Sequence, residues 1–116
     1  MEANDTNEDT RIARTEALFR GVNERIAESA ERFGSEDASF VCECDDPTCT
    51  HRIRATLDEY DEVRSDGAHF LLDEGHVNTE VERIVERRPS FALVEKVKPL
   101  VRKTVLRLDP RAAGNA

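Results

Sequence analysis

The chain has 116 residues, 38% of them apolar and 36% charged, with 5% aromatic and no tryptophan. That fits one domain with a thin core. No apolar run is long enough to span a bilayer, the polar, acidic N-terminus is not that of a secretory signal, and a net charge of −8 disfavours nonspecific binding to nucleic acid or anionic membrane. The charge is uneven. Residues 1–10 are acidic with no base, whereas Lys96, Lys98, Arg102, Lys103, Arg107 and Arg111 face only Asp109 within residues 96–111. The basic segment is expected either to fold back on the acidic body or to meet an acidic partner. A cytoplasmic placement follows by default, and in that compartment clustered thiols serve as metal ligands or redox groups more often than as disulfides.

Residues 1–9 are acidic and polar apart from Met1 and Ala3, and read as disordered. A helix is expected from Thr10 to Phe33. Ile12, Phe19, Val22, Ile26, Ala30 and Phe33 make one apolar stripe, widened by Leu18, and Gly34 is a left-handed stop. The stripe is expected to pack on the domain's own sheet; a homodimer seam or docking helix is the alternative. Residues 35–39 read as a polar loop, Phe40-Val41 as the end of a strand, and Asp45-Asp46-Pro47-Thr48 as a turn. Arg52–Ala55 is a short strand. Thr56-Leu57-Asp58-Glu59 matches a capping box that opens a helix to about Arg64. His69–Leu72 is a strand and Asp73–His76 a turn. Residues 80–88 fit a helix or a strand. Paired through Arg88-Pro89-Ser90 with the strand Phe91–Val97, they read better as a hairpin. Pro99 opens a last helix to Leu108, and 109–116 is a loose tail.

All three cysteines fall within Cys42-Glu43-Cys44-Asp45-Asp46-Pro47-Thr48-Cys49, and His51 follows two residues on. Zinc takes four ligands in a tetrahedron, commonly thiolates completed by imidazole. The turn between Cys44 and Cys49 lets the third thiolate close a small loop around an ion. The fourth ligand comes from elsewhere. His76 after Gly75 ranks first, because it would tie a distant turn to the cysteine loop. His51 ranks second, since four ligands within ten residues crowd the backbone, and His69 reads as a surface or strand residue. The expected cofactor is therefore one zinc, with iron as the alternative. Glu43, Asp45 and Asp46 are expected to surround the thiols with negative charge, which favours a cation and makes metal-free cysteines poor nucleophiles.

Catalysis is not expected. A catalytic zinc would need an open position for water and a base such as Glu43 or Glu74. The sequence has no zinc-deaminase pattern, no His-Glu-x-x-His, no phosphate-cradling glycine loop and no nucleophile elbow. The function expected is a metal-stabilised protein-binding or regulatory module, meeting its partner through the first helix or the acidic face. The competing readings are a thiol redox sensor and a nucleic-acid-binding zinc module that uses residues 96–111.

Several segments together resemble a group of small bacterial zinc-ribbon-like proteins of unassigned function. They are Phe40-x-Cys42-Glu43-Cys44 with Cys49, Thr56-Leu57-x-x-Tyr60-x-x-Val63-Arg64, Phe70, Gly75-His76, Glu82–Arg87 and Val94-Glu95-Lys96. The resemblance covers about residues 11–96, including the Arg-rich helix at Arg11–Phe33. It implies a shared fold and a site of Cys42, Cys44, Cys49 and His76, leaving His51 out; the basic extension after Lys96 departs from the pattern. The expected architecture is α+β: a long N-terminal amphipathic helix on a small antiparallel sheet with a zinc-ribbon-like loop. Residues 10–108 form the single domain.

Overall fold

A computed structural model describes the backbone of residues 2–113 and the side chains of residues 7–112. The fold is α+β. Helix α1 (Glu2–Arg32) lies against a hairpin of β1 (Asp37–Val41) and β2 (Arg52–Thr56), whose connection carries the cysteines. Helix α2 (Leu57–Arg64) leads to β3 (His69–Leu72), and one 3-10 turn at Glu74–His76 precedes β4 (Glu82–Arg87) and β5 (Ala92–Lys96). A second antiparallel sheet has the order β3-β5-β4, with a bulge between Ile84 and Glu86. Helix α3 (Pro99–Arg107) packs along α1, and α4 (Pro110–Ala113) follows. No helix among the described residues is long and apolar enough to cross a membrane.

Local chemistry sets several boundaries. The Thr56 hydroxyl accepts from the Glu59 backbone N–H, and the Glu59 carboxylate accepts from the Thr56 N–H, so the capping box is complete. Gly34 takes φ +74°, and the Gly34 and Ser35 N–H groups donate to the Glu31 and Ala30 carbonyls. This is the two-bond cap that ends a helix on a left-handed residue. The hairpin of β4 and β5 forms at the anticipated place, and Pro99 opens α3. The apolar core joins Phe40 and Ile53 of the first sheet to Tyr60 and Val63 of α2, with Phe70, Leu72, Val94 and Val101. The Phe40 and Tyr60 rings stack with centroids 4.5 Å apart.

The largest departure from the expected pattern lies in α1. Its inward line is Asp9, Ile12, Ala13, Glu16, Arg20 and Asn23, continued by partly buried Ala27 and Ala30. The mid-section facing the core is therefore polar. Of the anticipated stripe, Ile12 is buried and Ile26 and Ala30 pack at the margin, while Val22 and Phe33 point outward together with Leu18. The polar line is tolerated because its polar members each have a partner, although Glu16 Oε1 and Arg20 Nε have none among the described residues. Arg20 donates to the Gly67 carbonyl at 2.9 Å and the Val105 carbonyl at 2.8 Å, with its guanidinium 4.8 Å from the Phe70 ring centre. Buried polar groups cost little once hydrogen-bonded.

Three further expectations change. Strand β1 begins at Asp37, within the anticipated 35–39 loop. The helix reaches back well before Thr10, into the stretch expected to be disordered; Met1 lies outside the described residues, as do the side chains of residues 1–6. At the other end, residues 109–113 are anchored, whereas 114–116 lie outside the described residues. Asp109 is buried against Arg64, Pro110–Ala113 is helical, and Arg111 reaches Glu24 at 2.7 Å and Asp61 at 3.2 Å. A loose tail was expected there because its partners are far away in sequence.

Candidate metal centre

The β1–β2 connection and the turn after β3 converge. Cys42 leaves β1 with its N–H on the His51 carbonyl, and the Cys49 N–H closes the turn onto the Asp46 carbonyl. Asp46 fixes that turn further by accepting from the Thr48 N–H and hydroxyl. Opposite, the Asp73 carboxylate accepts from the Gly75 N–H and so shapes the 3-10 turn that presents His76. The Asp73 N–H donates to Cys42 Sγ at 3.3 Å.

These elements bring Cys42, Cys44, Cys49 and His76 together, one ligand atom from each lying within 4.8 Å of all the others. His76 Nδ1 is 3.4 Å from Cys42 Sγ and 3.6 Å from Cys49 Sγ. A tetrahedral zinc with Zn–S of about 2.3 Å and Zn–N of about 2.0–2.1 Å sets S···N edges of roughly 3.5–3.6 Å. The donor set thus matches such an ion in identity and number, and in the two S···N edges to Cys42 and Cys49. Cys42 and Cys44 are buried, Cys49 is half-buried and His76 exposed, so the cluster sits at the rim of the core. No disulfide links the three thiols.

With no metal, these sulfurs share negative charge unequally. The Cys42 thiol donates toward Cys44 and holds Cys44 down at about 5, while that same bond and burial push Cys42 well above the ordinary thiol range. A divalent cation removes this conflict, because it binds all the sulfurs as thiolates.

His51, the second candidate ligand, lies outside the cluster. Its Nε2 is 2.9 Å from the Asp73 carboxylate, and its ring meets the His76 ring edge-on at 5.6 Å. It therefore borders the centre through Asp73, beside His76. His69 opens β3 and lies near Asp66 and Glu95. There Glu95 is already engaged by Arg83 at 2.6 Å and Arg102 at 3.3 Å, so that trio is neutralised by guanidinium groups.

The carboxylates near the thiols do not all face them. Glu43 is fully buried and turned away from the sulfurs; burial raises its pKa. Its Oε1 accepts from the Leu71 N–H at 2.9 Å, its own N–H donates to the Leu71 carbonyl at 2.9 Å, and its Oε2 accepts from Asn23 at 2.8 Å. Glu43 is thus a strut between the two cysteines, and its position is not that of a base facing a metal-bound water. Asp45 accepts from the Asn78 amide at 3.0 Å. Asn23 and Asp73, which hold the centre in place, carry no sequence signal of their own: one is a polar residue within a helix, the other an ordinary turn aspartate. No protein family, curated protein or solved structure matches the chain, so the likeness to the bacterial zinc-ribbon-like group rests on the quoted residues alone.

Proposed function

We propose that the protein is a non-catalytic module in which Cys42, Cys44, Cys49 and His76 hold one structural zinc ion, and that it works by presenting a surface to another protein. The observation carrying the first half is the convergence of three sulfurs and one imidazole within 4.8 Å of one another, with two of the sulfur-to-nitrogen edges at the length a tetrahedral zinc sets. All four positions are filled by protein, which is the arrangement of a structural site. Native mass spectrometry with elemental analysis, on protein purified without added metal, tests this reading. One zinc per chain is expected, absent or weakened in both Cys44→Ser and His76→Ala. A well-folded wild type with no metal would overturn it, and a reversible disulfide in that metal-free protein would favour the redox reading. Iron in place of zinc would be seen in the same measurement.

The second half rests on the outer face of α1. Leu18 is 67% exposed and Val22 lies beside it, with Ala17 and Arg25 around the bare backbone of Gly21. Large apolar side chains held outward on a rigid helix suit a protein contact. The basic segment, by contrast, is largely spent on the body. Lys96 pairs with Glu16 and Glu82, Lys98 with Asp9, Arg102 with Glu95, and Arg111 with Glu24 and Asp61. This supports a protein partner over nucleic acid. Light scattering across a range of concentrations distinguishes the partners. A dimer abolished by Leu18→Glu identifies a second copy, and a monomer throughout excludes one. A salt-sensitive complex with nucleic acid would overturn the assignment.

A further inference from the structure

One residue of α1 grips both sides of the first cysteine knuckle. Asn23 is fully buried, and its amide group makes three bonds of 2.8 Å. Its Nδ2 donates to the Val41 carbonyl and to Glu43 Oε2, and its Oδ1 accepts from the Val41 N–H. Val41 immediately precedes Cys42, and Glu43 separates Cys42 from Cys44. The amide thus completes the pairing of the last residue of β1 and orients the strut between two ligands. A second tie runs from Arg11 of the same helix to the Asp45 carbonyl, one residue past Cys44, at 3.2 Å. On the far side, Glu43 is held by β3 through Leu71. The knuckle is therefore clamped between α1 and β3 by groups that do not touch the metal position.

We propose that Asn23 is the positioning residue of the metal centre and that, through it, metal occupancy governs how tightly α1 is held to the domain. This rests on the zinc reading above and adds to it a coupling between the centre and the helix. Ligands are placed by the groups that bond to them and to their neighbours, and removal of such outer partners typically weakens metal affinity by about 10–100-fold. Coupling free energies are reciprocal: if fixing Val41 and Glu43 helps the sulfurs hold an ion, the ion helps Asn23 hold its three bonds. The same helix carries Leu18 and Val22 on its outer face within five residues of Asn23. A change at the sulfurs thus reaches the proposed contact face through one side chain.

The test pairs a variant with a measurement on the wild type. Zinc affinity is measured by competition with a chromophoric chelator for wild type, Asn23→Ala, Glu43→Gln and Val105→Ala. Val105→Ala trims a fully buried side chain of α3, an element that carries none of the four ligands, and so controls for lost stability. Asn23→Ala is expected to bind zinc about 10–100-fold more weakly. Glu43→Gln, which keeps the shape of the strut, is expected to lie between Asn23→Ala and wild type. Val105→Ala should match wild type within about threefold. The ligand-field bands of the cobalt-loaded protein should shift in Asn23→Ala and stay in place in Val105→Ala. Should Asn23→Ala fail to fold, hydrogen exchange on wild type, loaded against chelated, decides the matter: amides of α1 around residues 19–26 should gain more in exchange rate on zinc removal than those of β5, which a uniform loss of stability would speed equally. A gain there no larger than in β5, or equal affinity in Asn23→Ala and wild type, overturns the coupling while leaving the zinc site standing. A wild type that binds no zinc removes both.

Discussion

Lys96→Met is expected to destabilise the protein by about 3–5 kcal/mol at neutral pH, the range for removing one partner of a buried ion pair. Lys96, Glu16 and Glu82 are all buried. The ammonium lies 2.6 Å from Glu16, contacts Glu82, and sits 4.8 Å from the centre of the Phe70 ring. Glu82 is also held by the Asn78 N–H at 2.8 Å, whereas Glu16 Oε1 has no hydrogen-bond partner among the described residues. Without the lysine, two buried carboxyls face each other with no cation between them.

The same cluster gives the wild type a pH dependence of known sign. Burial pushes Glu16 up to about 8, with Glu82 and Asp45 adding to the push and Lys96 opposing it. A raised pKa means that the folded chain binds this proton more tightly than the unfolded chain does. That contribution to stability is fully present below the ordinary value of 4.5 and is lost as pH rises through about 8. Urea midpoints measured from pH 5 to pH 9 should therefore fall toward the alkaline end. Glu16→Gln, which carries no titrating proton, should flatten that fall and be more stable than wild type at pH 9. A difference in midpoint between wild type and Glu16→Gln that stays constant across this window would show that Glu16 is ionised throughout in the fold.

Chelation is the second large effect. If zinc binds the folded chain alone, free metal at about a thousand times its dissociation constant stabilises by about 4 kcal/mol. For a domain of this size that moves the melting temperature by on the order of 15 °C. Melting with a strong chelator should reproduce the loss in wild type and leave Cys44→Ser, already without the metal, nearly unchanged. The cross-link explains why so much hangs on one ion. It joins the turn at His76 to the loop at Cys42–Cys49, two segments that share few backbone hydrogen bonds. A metal-free loop keeps only sulfur-to-sulfur hydrogen bonds in place of that cross-link. An equal melting temperature with and without chelator would remove the metal from any account of stability.

What could be read from the sequence is what is settled within a few residues. The Thr56–Glu59 box, Pro99 and the Pro89 turn specify a local conformation through their own side chains and the Gly34 stop through its lack of one, and each sits where it was anticipated. The cysteine spacing likewise marked the centre, and Gly75 pointed to His76. The facing of α1 was not legible. Periodicity assumes that the inward side is the apolar side, and here Glu16, Arg20 and Asn23 are inward because Lys96, the Val105 carbonyl and Glu43 are there to meet them. Those partners lie from 20 to 85 residues away, beyond any pattern a window can see. The same distance hid the anchoring of Asp109 and Arg111 and the inward turn of Glu43.

The long reach of α1 also bears on how the chain is made. Its salt links run to Lys96, Lys98 and Arg111, so the helix leaves the ribosome well before its neighbours exist. An early helix with a greasy inner side would wait in water as an adhesive, open to the wrong partners. With Glu16, Arg20, Asn23 and Glu24 along that side, the waiting helix stays hydrated. It becomes committed only when the last third of the chain arrives to claim it, at the cost of slow folding from many distant contacts.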